Sequence, residues 1–292
     1  MDKQTIKEHY VPQFYLKQFS DINGLLHIYD FKQKKIYTQK PKNVCYEKNL
    51  YETEWMDANP KLGKFVLPND IEKTYCKYER EFSTVLNKII QCVPSPYPSA
   101  LILYGEEKEI FFRFIVNLIL RNPRNMNSLN LGEIEPDDIN NIEMIKLRNL
   151  LDDIGFGGAN SVYLAAKKKI MLTEEMEDNF PKICYEDLKK LNYSFFYAQD
   201  YEFITSDVPV CVGDDSIITE ENKTCIYLAL SPRVAVVFGN YKNSKKFRNR
   251  MTIINRKIVE KFNMVLSKHN DEKQLLIGNS DKLIKKYISD KE

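Results

Sequence analysis

The chain has 292 residues, 43% hydrophobic and 29% charged, a balance that fits a globular protein and excludes a disordered or collagen-like one. Its 43 basic and 41 acidic side chains leave a formal charge of +2, so no global positive field marks a nucleic-acid binder and such a partner would need a local patch. Six cysteines, at 45, 76, 92, 184, 211 and 225, lack Cys-x-x-Cys spacing, and with three histidines they argue against a zinc framework; most are expected to be buried thiols.

The polar start, Met-Asp-Lys-Gln-Thr-Ile-Lys, has no signal-peptide core, and no run approaches the roughly twenty apolar residues that span a bilayer. A cytoplasmic protein without a membrane partner is the expectation. The first element is a helix over Pro12 to Phe19, because proline fixes its own φ and lacks the N–H that a first helical turn does not use. Phe14, Tyr15 and Phe19 share one face, Gln13 and Lys17 another. His9 sits just before the helix, where a neutral imidazole can act as base, acid or ligand, or simply bond a nearby carbonyl.

Strands follow at Leu25 to Phe31 and Lys35 to Thr38, and a strand or loop at Asn43 to Tyr51. Residues 52–69 read as an irregular connection that holds the one tryptophan, Trp55. An amphipathic helix spans Ile71 to Gln91, with Glu72 and Glu79 on nearly one face, either as a solvated edge or as carboxylates turned to a shared cleft. Prolines 94, 96 and 98 separate it from the next helix, which starts near Gly105 to Lys108.

From Ile110 to Leu120 that helix is apolar nearly all round and therefore central. Its exceptions, Arg113, Asn117 and Arg121, recur every four residues as one polar stripe. A buried guanidinium needs a partner or water, so the stripe faces a carboxylate network or a polar cleft; a salt-bridged core and an Arg113 that reaches the surface by its stem are the alternatives. Arg121, beside Asn122 and Pro123 at the helix end, is assigned to the cleft, with Asn117 as a substrate-binding candidate.

Helices are expected at Pro136 to Ile154 and Ser161 to Leu172, with a short one from Glu174 to Glu177. The Gly155-Phe-Gly-Gly158 run lacks the Lys-Ser/Thr of a phosphate loop and reads as a helix stop. β segments follow at Tyr193 to Ala198, Glu202 to Thr205, Val210 to Val212, Cys225 to Leu230 and Val234 to Phe238. The turn at Ser206 and Asp207 can present an acid to a cleft or merely form the turn. Residues 240–250 are basic, with Lys242, Lys245, Lys246, Arg248 and Arg250, and helices at Ile253 to Lys268 and Ser280 to Ser289 close the chain. The fold class is α+β, with a central helical core around residues 71–125 and small antiparallel sheets from the N- and C-terminal thirds. One compact domain over 1–292 is expected: β-rich to 69, helical over 70–190, mixed beyond.

The segment His9-Tyr-Val-Pro-Gln-Phe-Tyr-Leu-Lys-Gln-Phe19 resembles the opening of proteins grouped as domain of unknown function 4238. The Arg-x-Pro at 121–123, Thr-Ser-Asp-x-Pro at 205–209, Leu-Ser-Pro at 230–232 and Asn255 also resemble family features in family order. Carried over position by position, the resemblance singles out His9, Gln13, Arg121, Ser206, Asp207 and Asn255, and the family's own function is undefined. If these side chains converge, His9 is general acid or base, Asp207 its orienter or a metal ligand, and Arg121 the clamp on an anionic group, with Gln13 beside them and Ser206 and Asn255 binding substrate.

Such a constellation suits a hydrolase acting on a phosphate-containing substrate, a phosphodiesterase or nuclease of the kind found among bacterial defence effectors, with a divalent metal left open. Against a nuclease, no HNH or Arg-(four to six)-His signature occurs, and the Glu-x-Lys of 221–223 lies in a polar turn. A second reading is a non-catalytic binding module for a nucleotide, nucleic acid, peptide or partner protein. A third is a structural network that locks helices to sheet.

Overall fold

The computed structural model describes residues 5–56, 63–92, 94, 101–129, 131, 133–134, 140–153, 158–173, 180–212, 223–240, 249–268 and 274–288. In chain order the elements are β1 (Lys7–His9), α1 (Gln13–Leu16), β2 (Leu26–Asp30), β3 (Lys35–Gln39), β4 (Tyr46–Lys48), α2 (Asp70–Gln91), α3 (Glu106–Leu120), α4 (Pro123–Ser128), α5 (Ile142–Asp153), α6 (Ala159–Thr173) and α7 (Phe180–Lys190). They continue with β5 (Asn192–Ala198), β6 (Thr205–Ser206), β7 (Cys211–Val212), β8 (Lys223–Ala229), β9 (Val234–Asn240), β10 (Met251–Ile254), α8 (Arg256–Lys268), β11 (Leu275–Gly278) and α9 (Asp281–Ile288). The class is α+β.

The chain divides into two compact units, one from residues 1–10, 46–78 and 120–184, the other from 11–45, 79–119 and 185–292. In the first, β1 pairs antiparallel with β4, His9 opposite Tyr46, beside the start of α2 and helices α4, α5 and α6. Tyr75 and Tyr78 on α2 donate their hydroxyls to the Leu172 and Thr173 carbonyls at the end of α6, 3.1 and 3.0 Å away. These bonds satisfy carbonyls that a helix end leaves open.

The second unit holds two sheets. The larger runs β10-β5-β9-β8-β7, antiparallel except for the parallel β5–β10 pair. Its central strand carries Ala235, Val236, Val237 and Phe238 without exposure, a continuous apolar run that requires cover on both faces. On one face α3 supplies it: Phe111 lies 5.6 Å from Phe195, and Phe112 lies 5.3 Å from Tyr193 and 5.6 Å from Phe238. On the other, Phe262 of α8 meets Tyr227 at 5.9 Å and Phe203 at 4.9 Å. The apolar stretch of α3 thus has the sheet on one side, while Phe114 turns to Phe14, Tyr15 and Phe82 at 5.6, 6.2 and 5.5 Å.

The smaller sheet runs β3-β2-β11-β6 and interleaves strands from the two ends of the sequence. A Cβ on Gly278 would stand 3.2 Å from Ile284 Cδ1, so glycine lets α9 lie close on β11.

Several expectations are corrected. Residues 202–204 are not strand; only Thr205 and Ser206 pair, because Asn263 of α8 takes the local backbone instead, accepting from Ile204 N–H at 3.1 Å and donating to the Glu202 carbonyl at 2.9 Å. Ile253 belongs to β10, and the last long helix begins at Arg256, where Asn255 caps it. Among the described cysteine side chains, Cys45 and Cys211 are buried, Cys92 is half-buried and Cys76 on α2 is exposed. Residues 136–139, 155–157, 174–177 and the basic Lys242, Lys245, Lys246 and Arg248 lie outside the described residues.

Candidate functional site

In the first unit His9 and Arg121 come together, though through the backbone of His9. The strand β1 buries Glu8 and His9 in succession, and the His9 carbonyl accepts from Arg121 Nη2 at 2.5 Å and from the Tyr51 hydroxyl at 3.1 Å. Arg121 Nε donates to the Tyr51 oxygen at 3.1 Å, and the guanidinium lies 4.2 Å from the Tyr75 ring centre. The break after α3 places it there: Asn122 Oδ1 accepts the Arg124 N–H at 3.0 Å, and Pro123 begins α4. At 1% exposure Arg121 is among the largest fully buried side chains. Its planar fork and flat faces suit this double bonding and stacking in a way lysine cannot match.

Beside this knot stands an acid pair that has no local mark in the sequence. Glu8 is unexposed; its Oε2 accepts the Tyr51 N–H at 2.7 Å. Glu52 is its acidic neighbour, and burial together with that neighbour favours the neutral form of Glu8. Burial pushes the Glu8 carboxyl up to about 8; the Tyr51 N–H opposes the shift, and the charges of Glu52 and Glu72 add to it. Glu52 Oε1 accepts the Asn69 N–H at 2.8 Å, and its carbonyl accepts from Lys168 Nζ at 2.9 Å. Burial also lowers the Lys168 pKa, against the pull of Glu8 and Glu52.

The remaining candidates belong to the second unit. Asp207 is 5% exposed, and its Oδ2 and Oδ1 accept the N–H groups of Gln274 and Leu275, each at 3.1 Å, which ties the turn after β6 to the start of β11. Ser206 Oγ donates to the Val208 carbonyl at 2.7 Å and accepts the Val208 N–H at 3.2 Å. Asn255 Oδ1 accepts the Ile258 N–H at 3.2 Å as the cap of α8. Asn117 is buried on α3, whereas Arg113 of the same stripe is exposed. The Tyr15 hydroxyl, unexposed, joins three of the sequence motifs, because it bonds Thr205 Oγ1 and the Ala229 carbonyl next to the Leu-Ser-Pro turn, both at 2.7 Å.

A model of the family described as Protein of unknown function (DUF4238) matches residues 7–282. The chain belongs to the DUF4238 family. No curated protein and no solved structure matches it. In the structure the observed side-chain bonds of Arg121, Ser206, Asp207 and Asn255 go largely to backbone groups.

Gln13 is different. It lines an open groove of about 580 Å³ in the second unit, together with Lys17, Lys40, Pro41, Lys42 and the 20–24 turn. The three lysines are exposed, and Ile22 at the turn tip is fully so. Asp21, the acid of this groove, is already engaged: its Oδ1 accepts the Leu25 and Asn23 N–H groups at 2.9 and 2.8 Å, and Oδ2 lies 3.3 Å from His27 Nε2. The Leu25 bond is the main reason its pKa is lowered. The groove could have been suspected from Gln13 and Lys17 on one helical face, but Lys40 and Lys42 arrive from across a hairpin and carry no signal of their own. Among the described residues no group of three or more His, Cys, Asp or Glu side chains is placed to hold a metal ion, and no helix is long and apolar enough to cross a membrane.

Proposed function

We propose that this protein binds a phosphate-bearing small molecule, a nucleotide by preference, in the Gln13 groove. The observation that carries this reading is the gathering of Lys17, Lys40 and Lys42 around Gln13 in a groove of about 580 Å³, a volume within the range of small-molecule sites. Lysine ammonium groups serve as point-charge donors to phosphate, and the Gln13 amide offers both a donor and an acceptor. Ile22, fully exposed at the groove, supplies apolar surface against which a base can lie. The one carboxylate present, Asp21, is occupied by backbone N–H groups and His27, which leaves the electrostatic balance positive.

Hydrolysis of that phosphate by His9, Arg121 and Asp207, a nuclease-like defence activity included, has less support. Arg121 is engaged with the His9 carbonyl, Tyr51 and Tyr75, and Asp207 with two backbone N–H groups, tasks that hold the chain in place.

Titration of a fluorescent ATP analogue into the full chain tests the reading. Saturable binding that weakens at least about tenfold in K40M/K42M supports it. Absence of binding, or binding indifferent to those lysines, overturns it. Release of inorganic phosphate from ATP, lost in H9A with the fold retained, would restore the hydrolase.

A further inference from the structure

A second, smaller cleft of about 160 Å³ lies wholly within the first unit, between the segment leading into α2 and one face of α6. Its walls include Leu67, Ile71, Val162 and Ala166, and its charged edge is Asp70 and Lys169. A cavity of about 150 Å³ is enough for a benzene-sized group. The volume therefore matches one branched aliphatic or aromatic side chain rather than a nucleotide.

The charged edge is unusual for so apolar a space. Lys169 Nζ lies 3.0 Å from Asp70 Oδ2, with the two side chains 28% and 36% exposed. A half-exposed pair of this kind is held weakly and can exchange partners. Glu52, the other acid of the cleft, has Oε1 committed to the Asn69 N–H at 2.8 Å. The backbone is shaped for the edge as well: Leu67 and Asn69 both take left-handed conformations, with φ of 47° and 64°, and Leu67 is left 68% exposed on the cleft. A bound apolar group would remove that surface from water.

We propose that this cleft binds a free apolar α-amino acid, its side chain against Leu67, Ile71, Val162 and Ala166, its ammonium on Asp70 and its carboxylate on Lys169. A zwitterion sets a charge-assisted contact on each of Asp70 and Lys169 in place of their mutual pair, which neither an amine nor an acid alone achieves. The site is separate from the Gln13 groove and stands or falls independently of it.

Isothermal titration of the full chain with L-leucine, paired with thermal melting, is the test. Saturable binding at one site is expected, with a melting temperature that rises with leucine concentration. Isopentylamine and 4-methylpentanoate, which keep the side chain and lose one charge, bind at least about tenfold more weakly. A166W, at an exposed position on the cleft wall, fills the space and abolishes binding while circular dichroism is unchanged. K169M weakens leucine about tenfold and does not weaken isopentylamine, whose ammonium meets an Asp70 freed of its lysine. No heat and no melting shift at about 10 mM leucine would overturn the proposal, an affinity weaker than that being negligible. So would equal binding of the single-charge analogues, or undiminished binding by A166W.

Discussion

The Tyr15 hydroxyl and Thr205 Oγ1 lie 2.7 Å apart, and since Tyr15 donates its one proton to the Ala229 carbonyl at 2.7 Å, Thr205 must donate to Tyr15. The bonds thus run in one direction, from Thr205 through Tyr15 to the end of β8, and burial raises the Tyr15 pKa so that the phenol stays protonated. Y15F leaves both Thr205 and a carbonyl short of a partner and is expected to cost about 1 to 3 kcal/mol in urea unfolding. In a double-mutant cycle with T205V the two losses are not additive; independent losses would contradict the relay.

Arg121 answers a different question, whether its motif serves the fold or a ligand. R121K keeps the charge but loses the fork that reaches the His9 carbonyl and Tyr51 while stacking on Tyr75, and a loss of about 2 to 3 kcal/mol is expected. Native-like stability of R121K in guanidinium titration would return Arg121 to a ligand-binding role.

Glu8 imposes a pH dependence whose sign follows from its raised pKa. The folded carboxyl, at about 8, keeps its proton over a range where the unfolded one, at 4.5, has released it. Stability from this group is complete below pH 4.5 and is lost as pH climbs to about 8, levelling above. E8Q keeps the Tyr51 bond, donates to Glu52 and cannot ionise. Its melting temperature therefore gains on the wild type steadily between those pH values, and a constant difference across them would contradict the raised Glu8 pKa.

Asp207 holds Gln274 and Leu275 by two N–H bonds that asparagine can supply only in part. D207N turns an NH2 group toward one of those donors, with an expected cost of about 2 kcal/mol. Amide exchange at Gln274 or Leu275 should accelerate before the rest of β11 is affected.

Nucleotide affinity at the Gln13 groove should fall with salt, because three exposed lysines act through solvent. Raising ionic strength from about 0.05 to 0.5 M should weaken ATP several-fold, and L-leucine binding in the other cleft much less.

What could be read from the sequence was what local chemistry encodes. Pro12, the apolar stretch from Ile110 to Leu120 and the alternation of β2 and β3 lead directly to helix and hairpin. Tyr15 reads from the sequence only as core, because its partners lie 190 and 214 positions away. Glu8 and Glu52 are hidden for the same reason: each is an ordinary acid in its own segment, and they become neighbours only through the β1–β4 pairing and the turn to Tyr51. The strand β11 was missed because its four residues resemble any short apolar run until β2 and β6 flank them.

That last strand gives the smaller sheet a consequence for synthesis. Because β11 seats between β2 and β6, a nascent chain that has already made β2 still presents an unpaired strand edge until residue 278 leaves the ribosome. Pairings of such sequence separation are slow to close. The hairpin of β2 and β3 therefore waits on a segment made far later in translation, an interval in which an exposed strand edge favours misassociation.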